Sequence, residues 1–416
     1  MKVKWLVNSL FAAVPATVVV WYLNRQGATA GQLTVLIFAL ALVAVVPLAT
    51  SIGKLTETLQ TYVGERLGGL LGASFGNVPE LAIGIALLVH AHIHLQDLHG
   101  VVAGSDLDIV HALLIGSIIN NVLFVLGSSV FIAALRNGRM NFSADNAAGY
   151  ASMMALAVVG LALPTIATKL AVNASTNAEI AVTIPFAVIL ILSYVAYIAA
   201  TEFNVGARGH KRAGAADEGG EQQREAAVNA EGTPLLADTP AHETRIERIV
   251  TAEERGEQQA EDKARELRRE LRRRNPRALP IALVALGAAT VATVIMAVIL
   301  VSVTDNVIRD TPLTPLSVGL ILFPIVCNLG EQAGAVQNAW HNRMEGAMAV
   351  AAGSSVQVAL FVTPVLALIS FALAGGTSSL ILTIIFQPLL LIVLGLVTFV
   401  YALVSLDGET TWLEGL

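Results

Sequence analysis

Charge is what this sequence has least of. Only 13% of its 416 residues are Asp, Glu, Lys or Arg, about half the share of an ordinary soluble domain. That excludes a chain kept in water by a charged shell. The single cysteine, Cys327, excludes an internal disulfide framework. There is no His-Glu-x-x-His and no Gly-x-x-x-x-Gly-Lys-Ser/Thr, so zinc-protease chemistry and ATP-driven transport lose their sequence support. A formal net charge of −6 offers nothing to nucleic acid. A cleavable leader is not evident either, because the first apolar run, Trp5 to Leu23, lacks a convincing small-residue cleavage site before the next span.

Apolar residues supply the rest, at 55% of the chain. Runs long enough to span a bilayer fall near 5–23, 33–52, 68–90, 109–135, 148–168 and 179–200, then near 279–303, 315–340, 345–371 and 379–406. The chain therefore reads as an all-α polytopic membrane protein of about ten transmembrane helices. Between the two sets lies a polar stretch. Residues 205–275 hold 14 of the 25 Lys/Arg and 15 of the 31 Asp/Glu. The first part of this linker has a disordered composition. Its end, Arg268 to Arg274, is a basic anchor of the kind that rests on anionic headgroups. The chain thus divides into four parts: a first helix and loop at 1–32, an N-terminal transmembrane repeat at 33–204, a linker at 205–277 and a C-terminal repeat at 278–416. The Lys/Arg bias of the short loops puts the N-terminus and the linker in the cytoplasm.

Two carboxylates break the apolar pattern. Glu80, in Gly76-Asn77-Val78-Pro79-Glu80, and Glu331, in Cys327-Asn328-Leu329-Gly330-Glu331, are the only charged residues in the span interiors. A charge there is costly in hydrocarbon and must face protein or water. The Asn and the Glu of each motif are three apart, so their side chains share a helix face. Asn328 and Glu331 each lie 251 positions after Asn77 and Glu80. Pro79 is expected to kink or open the first motif helix, freeing carbonyls beside the carboxylate. The next span of each half carries a polar cluster, Gly116-Ser117-Ile118-Ile119-Asn120-Asn121 and Gly353-Ser354-Ser355-Val356-Gln357, at a constant offset of 237. That offset sets Asn120 opposite Gln357. Glycine allows close helix approach, and the amides and hydroxyls add neutral oxygens. Such an all-oxygen set suits a calcium-sized cation. With alternating topology the two copies are inverted, the arrangement of repeat transporters. His90, His92, His94 and His99, with Asp97, Asp106 and Asp108, crowd a predicted outer loop. A solvated loop is the first reading of that run and a zinc site the alternative.

With these residues in place the chain resembles the cation/proton exchanger (CAX) family of the calcium/cation antiporter superfamily. The resemblance rests on Arg66 to Glu80, Gly116 to Gly127 and Gly353 to Pro364, and it covers nearly everything but the linker. It implies two inverted repeats of the sodium/calcium-exchanger-like fold behind an extra first helix. It also implies a transported Ca2+ with H+ as counter-ion and no bound cofactor. By motif match, Glu80 and Glu331 take the roles of the metal- and proton-binding glutamates. Asn77, Asn328, Ser117, Asn120, Asn121, Ser354 and Gln357 fall on the surrounding polar positions, and Gly76, Pro79 and Gln332 on gating or motif positions. Departures are visible. Gln332 stands where the family usually has histidine, which leaves a Na+-coupled exchanger of the same fold as an alternative to H+ exchange. Val78-Pro79 is unusual for the first motif. Asp407 to Leu416 resembles the loop before the family's last helix; the eleventh span is missing here, either because the chain is truncated or because this member lacks it. The short N-terminus points to a prokaryotic plasma membrane, or a vacuolar one in a eukaryote. A transport-dead scaffold or sensor is the reading from another class, and retention of both glutamates counts against it.

Cysteines introduced at Ala230 and Ser105 are expected to label from opposite sides of the membrane; labelling of both from outside would overturn the assigned topology.

Overall fold

A computed structural model describes residues 9–26, 33–63, 75–94, 101–170, 176–202, 277–406 and 408–415. The 205–275 linker and the 66–74 part of the first motif stretch lie outside the described residues. Among the described residues, ten helical segments occupy the places the apolar runs predict. The first half has α1 (Ala13–Arg25), α2 (Thr34–Val63), α3 (Val78–Ile93), α4 (Val101–Asn120) continuing into α5 (Gly127–Asn137), α6 (Ala144–Leu170) and α7 (Thr176–Glu202). The second half has α8 (Ala278–Asp310), α9 (Phe323–Trp340), α10 (Met344–Gln357) continuing into α11 (Thr363–Leu373), and α12 (Pro388–Val404). Of these, seven helical stretches are long and apolar enough to cross a membrane, with α3 and α12 as shorter apolar helices. Leu156, Val159, Leu163 and Ile166 leave α6 with an exposed apolar stripe, which only lipid makes favourable.

The halves are inverted. At one end of the bundle, the C-terminal parts of α3 and α8 meet the beginning of α4, through His90, Asp305 and Asp106. At the other end α5 and α9 finish together: Asn137 Nδ2 donates to the Ala339 carbonyl at 3.3 Å, and the Arg136 guanidinium lies 4.1 Å over the Trp340 ring. Here α6 and α10 also start, joined through Asn146 and Glu345. So α3 runs against α9, and α4–α5 against α10–α11. Each motif helix packs on the opening helix of the other half, α3 on α8 and α9 on α2, while α2 and α8 pack on each other. At the Arg136 end a two-residue antiparallel pair, β1 (Met140–Asn141) with β2 (Glu409–Thr410), fastens the chain after α12 to the chain after α5.

Where helix gives way, the backbone is satisfied in other ways, as an apolar interior requires. Wide π-type turns occupy Asn121–Leu126, Val318–Leu322 and Val358–Val362. The first and third begin 237 residues apart, the offset of the Gly-Ser clusters, so the repeat extends to backbone geometry. Thr363 Oγ1 fills the third turn by donating to the Val358 carbonyl at 2.8 Å. The tenth span differs from expectation: α12 begins only at Pro388, and Ile381–Gln387 is extended after a short 3-10 turn. Ile381, Thr383, Ile384 and Ile385 are β-branched, and Gln387 before Pro388 is held at φ −61°, ψ 131°. Three backbone N–H groups of this stretch donate to hydroxyls: Leu382 to Ser370 at 2.8 Å, Ile384 to Thr183 at 3.1 Å and Phe386 to Thr165 at 2.9 Å. The Thr383 carbonyl meets His111 Nε2 at 2.7 Å.

Gly116 is one place where the halves approach closely. A Cβ on it would lie 2.5 Å from the Leu320 carbonyl oxygen and 2.8 Å from Pro324 Cγ, whereas a Cβ on Gly353 would meet nothing within 4 Å. The expected close approach at both glycines thus holds for Gly116 only. Gly116→Val should destabilise by about 1–3 kcal/mol, read as a lower Tm in detergent, with Gly353→Ala near wild type; equal effects would contradict this packing.

Candidate cation site

The first motif sits at a helix start. Phe75 is helical, Gly76 and Asn77 form a turn, and α3 begins at Val78 with Asn77 at its N-cap, φ −97° and ψ 21°. The break therefore comes before Pro79, not at it. Proline is tolerated in a first helical turn, where its missing N–H would have had no helical partner. Glu80 then lies in the first turn of α3, next to the positive end of the helix dipole. The second motif is different. Asn328 to Glu331 lie inside the unbroken α9, whose irregular turn comes before it, at Val318–Leu322 ahead of Pro324.

Between these two helices the structure gathers the predicted polar residues. Asn77, Glu80, Ser117, Asn121 and Asn328 are almost fully enclosed, Asn120 and Ser354 nearly so, and Glu331 and Gln357 are half-buried. The two carboxylates are near enough for their charges to interact, and Cys327 lies beside both. Asn77 spans the halves: its Nδ2 donates to Gln357 Oε1 at 2.8 Å, and its Oδ1 accepts from Ser354 Oγ at 3.5 Å. The Ser354 hydroxyl is also close enough to the Glu331 carboxylate to interact with it.

More telling are the atoms left without partners. Both oxygens of Glu80, Oε2 of Glu331, both polar atoms of Asn328 and of Asn121, Nδ2 of Asn120 and Oγ of Ser117 are buried and have no hydrogen-bond partner among the described residues. Such groups normally cost 1–3 kcal/mol each, and more when charged. Among the described residues neither glutamate has an ion-pair partner. Asn120 and Asn121 straddle the junction of α4 with its π turn; the sequence suggested that at most one could serve, yet both are buried with unpartnered atoms. Oxygens from inverted helices, carrying two like charges and no cation, form a donor set for a hard cation or for protons.

The family model for sodium/calcium exchanger proteins matches residues 33–201 and 281–416. The chain belongs to that family. It is 29% identical to a Ca2+/H+ antiporter of Synechocystis over 93% of this chain and 88% of the relative. It is 27% identical to a vacuolar calcium ion transporter of Schizosaccharomyces pombe over 91% of this chain and 75% of that one. The solved structure of native YfkE shares its fold with a TM-score of 0.68 at 23% identity, covering 99% of this chain and 94% of that one. The crystal structure of the H+/Ca2+ exchanger CAX aligns with a TM-score of 0.59 at 14% identity, covering 100% and 86%.

In this family member Gln332 does not join the carboxylate cluster by any hydrogen bond; its Nε2 donates to Ser128 Oγ on α5 at 3.3 Å. Sequence reasoning gave Ser355 no role, although its hydroxyl bonds the Ala351 carbonyl at 2.8 Å and reaches the Ile118 carbonyl on α4 at 3.5 Å. Its neighbour Ser354 hid the difference, since adjacent hydroxyls on a helix serve different faces.

Asn77→Ala and Gln357→Ala should each lower the Tm, and the double variant should fall short of their sum by about 0.5–3 kcal/mol. Full additivity would show that the two amides do not meet.

Proposed function

We propose that this protein is a secondary antiporter that exchanges Ca2+ for H+ across a membrane, with Glu80 and Glu331 as the shared binding groups. The observation that carries this reading is the pair of carboxylates on inverted helices whose buried oxygens, both of Glu80 and Oε2 of Glu331, have no hydrogen-bond partner among the described residues. The names of the relatives support it. With both groups ionised and empty, two like charges would sit in a low-dielectric interior, a disfavoured state. Two protons or one Ca2+ relieve it equally in charge, so either cargo can occupy the site and the empty site cannot be stable. That makes exchange obligatory. Asn77, Asn328, Ser117, Asn120, Asn121, Ser354 and Gln357 supply neutral ligands or orient the charged ones, and Gly76 and Pro79 allow the chain to open at the first motif. The 251-residue inversion gives each membrane face an equivalent half, which is what alternating access between two repeats needs.

Gln332 replaces a group that could titrate, so the counter-ion is tested directly. In vesicles a proton gradient should drive Ca2+ uptake and a Na+ gradient should not; the reverse result would assign the protein to Na+-coupled exchange. Glu80→Gln and Glu331→Gln should each weaken Ca2+ binding by about a hundredfold or more, because affinity in oxygen sites follows the count of charged ligands, and should abolish uptake. Protons and Ca2+ compete for the same oxygens, so acid must weaken Ca2+ binding. Between about tenfold and a hundredfold per pH unit is expected for one or two displaced protons. An affinity that ignores pH, or near-normal transport by either variant, would refute the shared site.

A further inference from the structure

A second cluster of ligating side chains lies at the opposite end of α3 from Glu80. The sequence placed His90 in a histidine-rich outer loop, read first as solvated with a zinc site as the alternative, but His90 is on α3, Asp106 on α4 and Asp305 on α8. One ligand atom from each lies within 4.8 Å of the others. His90 Nδ1 is 2.8 Å from Asp106 Oδ2 and 4.0 Å from Asp305 Oδ2. Asp106 is 1% exposed, and its other oxygen, Oδ1, is buried with no hydrogen-bond partner. Both carboxylates face the same ring nitrogen, which carries at most one proton, while His94, its ring 4.4 Å from that of His90, acts on them electrostatically. The cation nearest along α8, Arg309, acts on Asp305 electrostatically but makes no ion pair with it within 4.0 Å among the described residues.

From this geometry we infer a second metal site, of Zn2+-class selectivity, formed by His90, Asp106 and Asp305. The donor chemistry separates it from the glutamate site. An imidazole nitrogen with two carboxylate oxygens matches Zn2+ or a neighbouring late first-row ion, whereas Ca2+ favours oxygen alone. Three protein ligands leave a fourth position for water, an open zinc arrangement. Bonds of about 2.0–2.2 Å require the ion to replace the His90–Asp106 hydrogen bond and Asp305 to move inward. Two ligands come from the first half and one from the second, so the bound ion ties α8 to α3 and α4. None of its ligands belongs to the exchange site, and the inference stands whichever counter-ion that site uses.

The test uses the full chain carrying Glu80→Gln and Glu331→Gln, purified without a polyhistidine tag. Calorimetric titration with Zn2+ should give about one site, with little heat from Ca2+, and Zn2+ should raise the Tm by binding the folded state. His90→Ala and Asp305→Asn should each weaken Zn2+ binding at least about tenfold and remove the Tm rise. Asp305→His, which restores a ligand, should keep both and show that the position tolerates change. Zn2+ binding unaltered in His90→Ala and Asp305→Asn, or no Zn2+ binding in the parent, would overturn the inference.

Discussion

A carboxylate in an apolar interior must be neutralised by something, and in this protein the something is not another side chain. Glu80 and Glu331 are placed together where like charges repel, with no cation among the described residues to relieve them. The rest of the arrangement answers to that constraint. Amides and hydroxyls cluster around the pair because they are the polar groups an interior can hold without adding charge. The motif helices pack across the halves because only an inverted pair brings two such residues to one place. A defect in a structural core becomes, in a carrier, the appetite for cargo.

The same low dielectric dictates how the backbone may depart from helix. Four of the breaks among the described residues lie next to a residue group that matters: the Gly76–Asn77 turn beside Glu80, the π turn that starts at Asn121, the one that ends at Leu322 before Pro324, and the one directly after Gln357. A π turn inserts a residue and rotates the helix beyond it, so a single span can present a polar cluster to the site and an apolar face to its neighbours. Gly116 allows the second of these turns to approach α4 so closely that any side chain there would strike backbone.

Much of this could be read before any coordinates. Ten spans, two carboxylates and two constant offsets come from apolar runs and from the expense of charge, and both are local properties of the chain. The features that could not be read depend on tertiary company. The tenth apolar run has the length of a helix, yet its β-branched start becomes extended because Ser370, Thr183 and Thr165 are there to accept its N–H groups. His90 and Asp106 looked like loop residues because nothing in a sequence shows that Asp305, some two hundred residues away, closes on them. The Asn-x-x-Glu repeat hid a difference as well. Identical spacing produced a helix start in one copy and a helix interior in the other, since Pro79 can begin α3 while Leu329-Gly330 leaves α9 unbroken.

The extended stretch also bears on how the molecule can move. Its donors are held by hydroxyls of α11, α7 and α6, and its Thr383 carbonyl by His111 of α4. Displacing any one of these helices relative to the others would strand a backbone group where no water can reach it. Those four helices, with α12 leading out of the stretch, are thereby bolted into a single frame. None of the groups that hold the extended stretch comes from α2 or α8, which pack on each other and on the motif helices. Packed surfaces can slide at small cost, whereas severed hydrogen bonds cannot be hidden. A shift of α2 and α8 would therefore leave every hydrogen bond of the extended stretch intact.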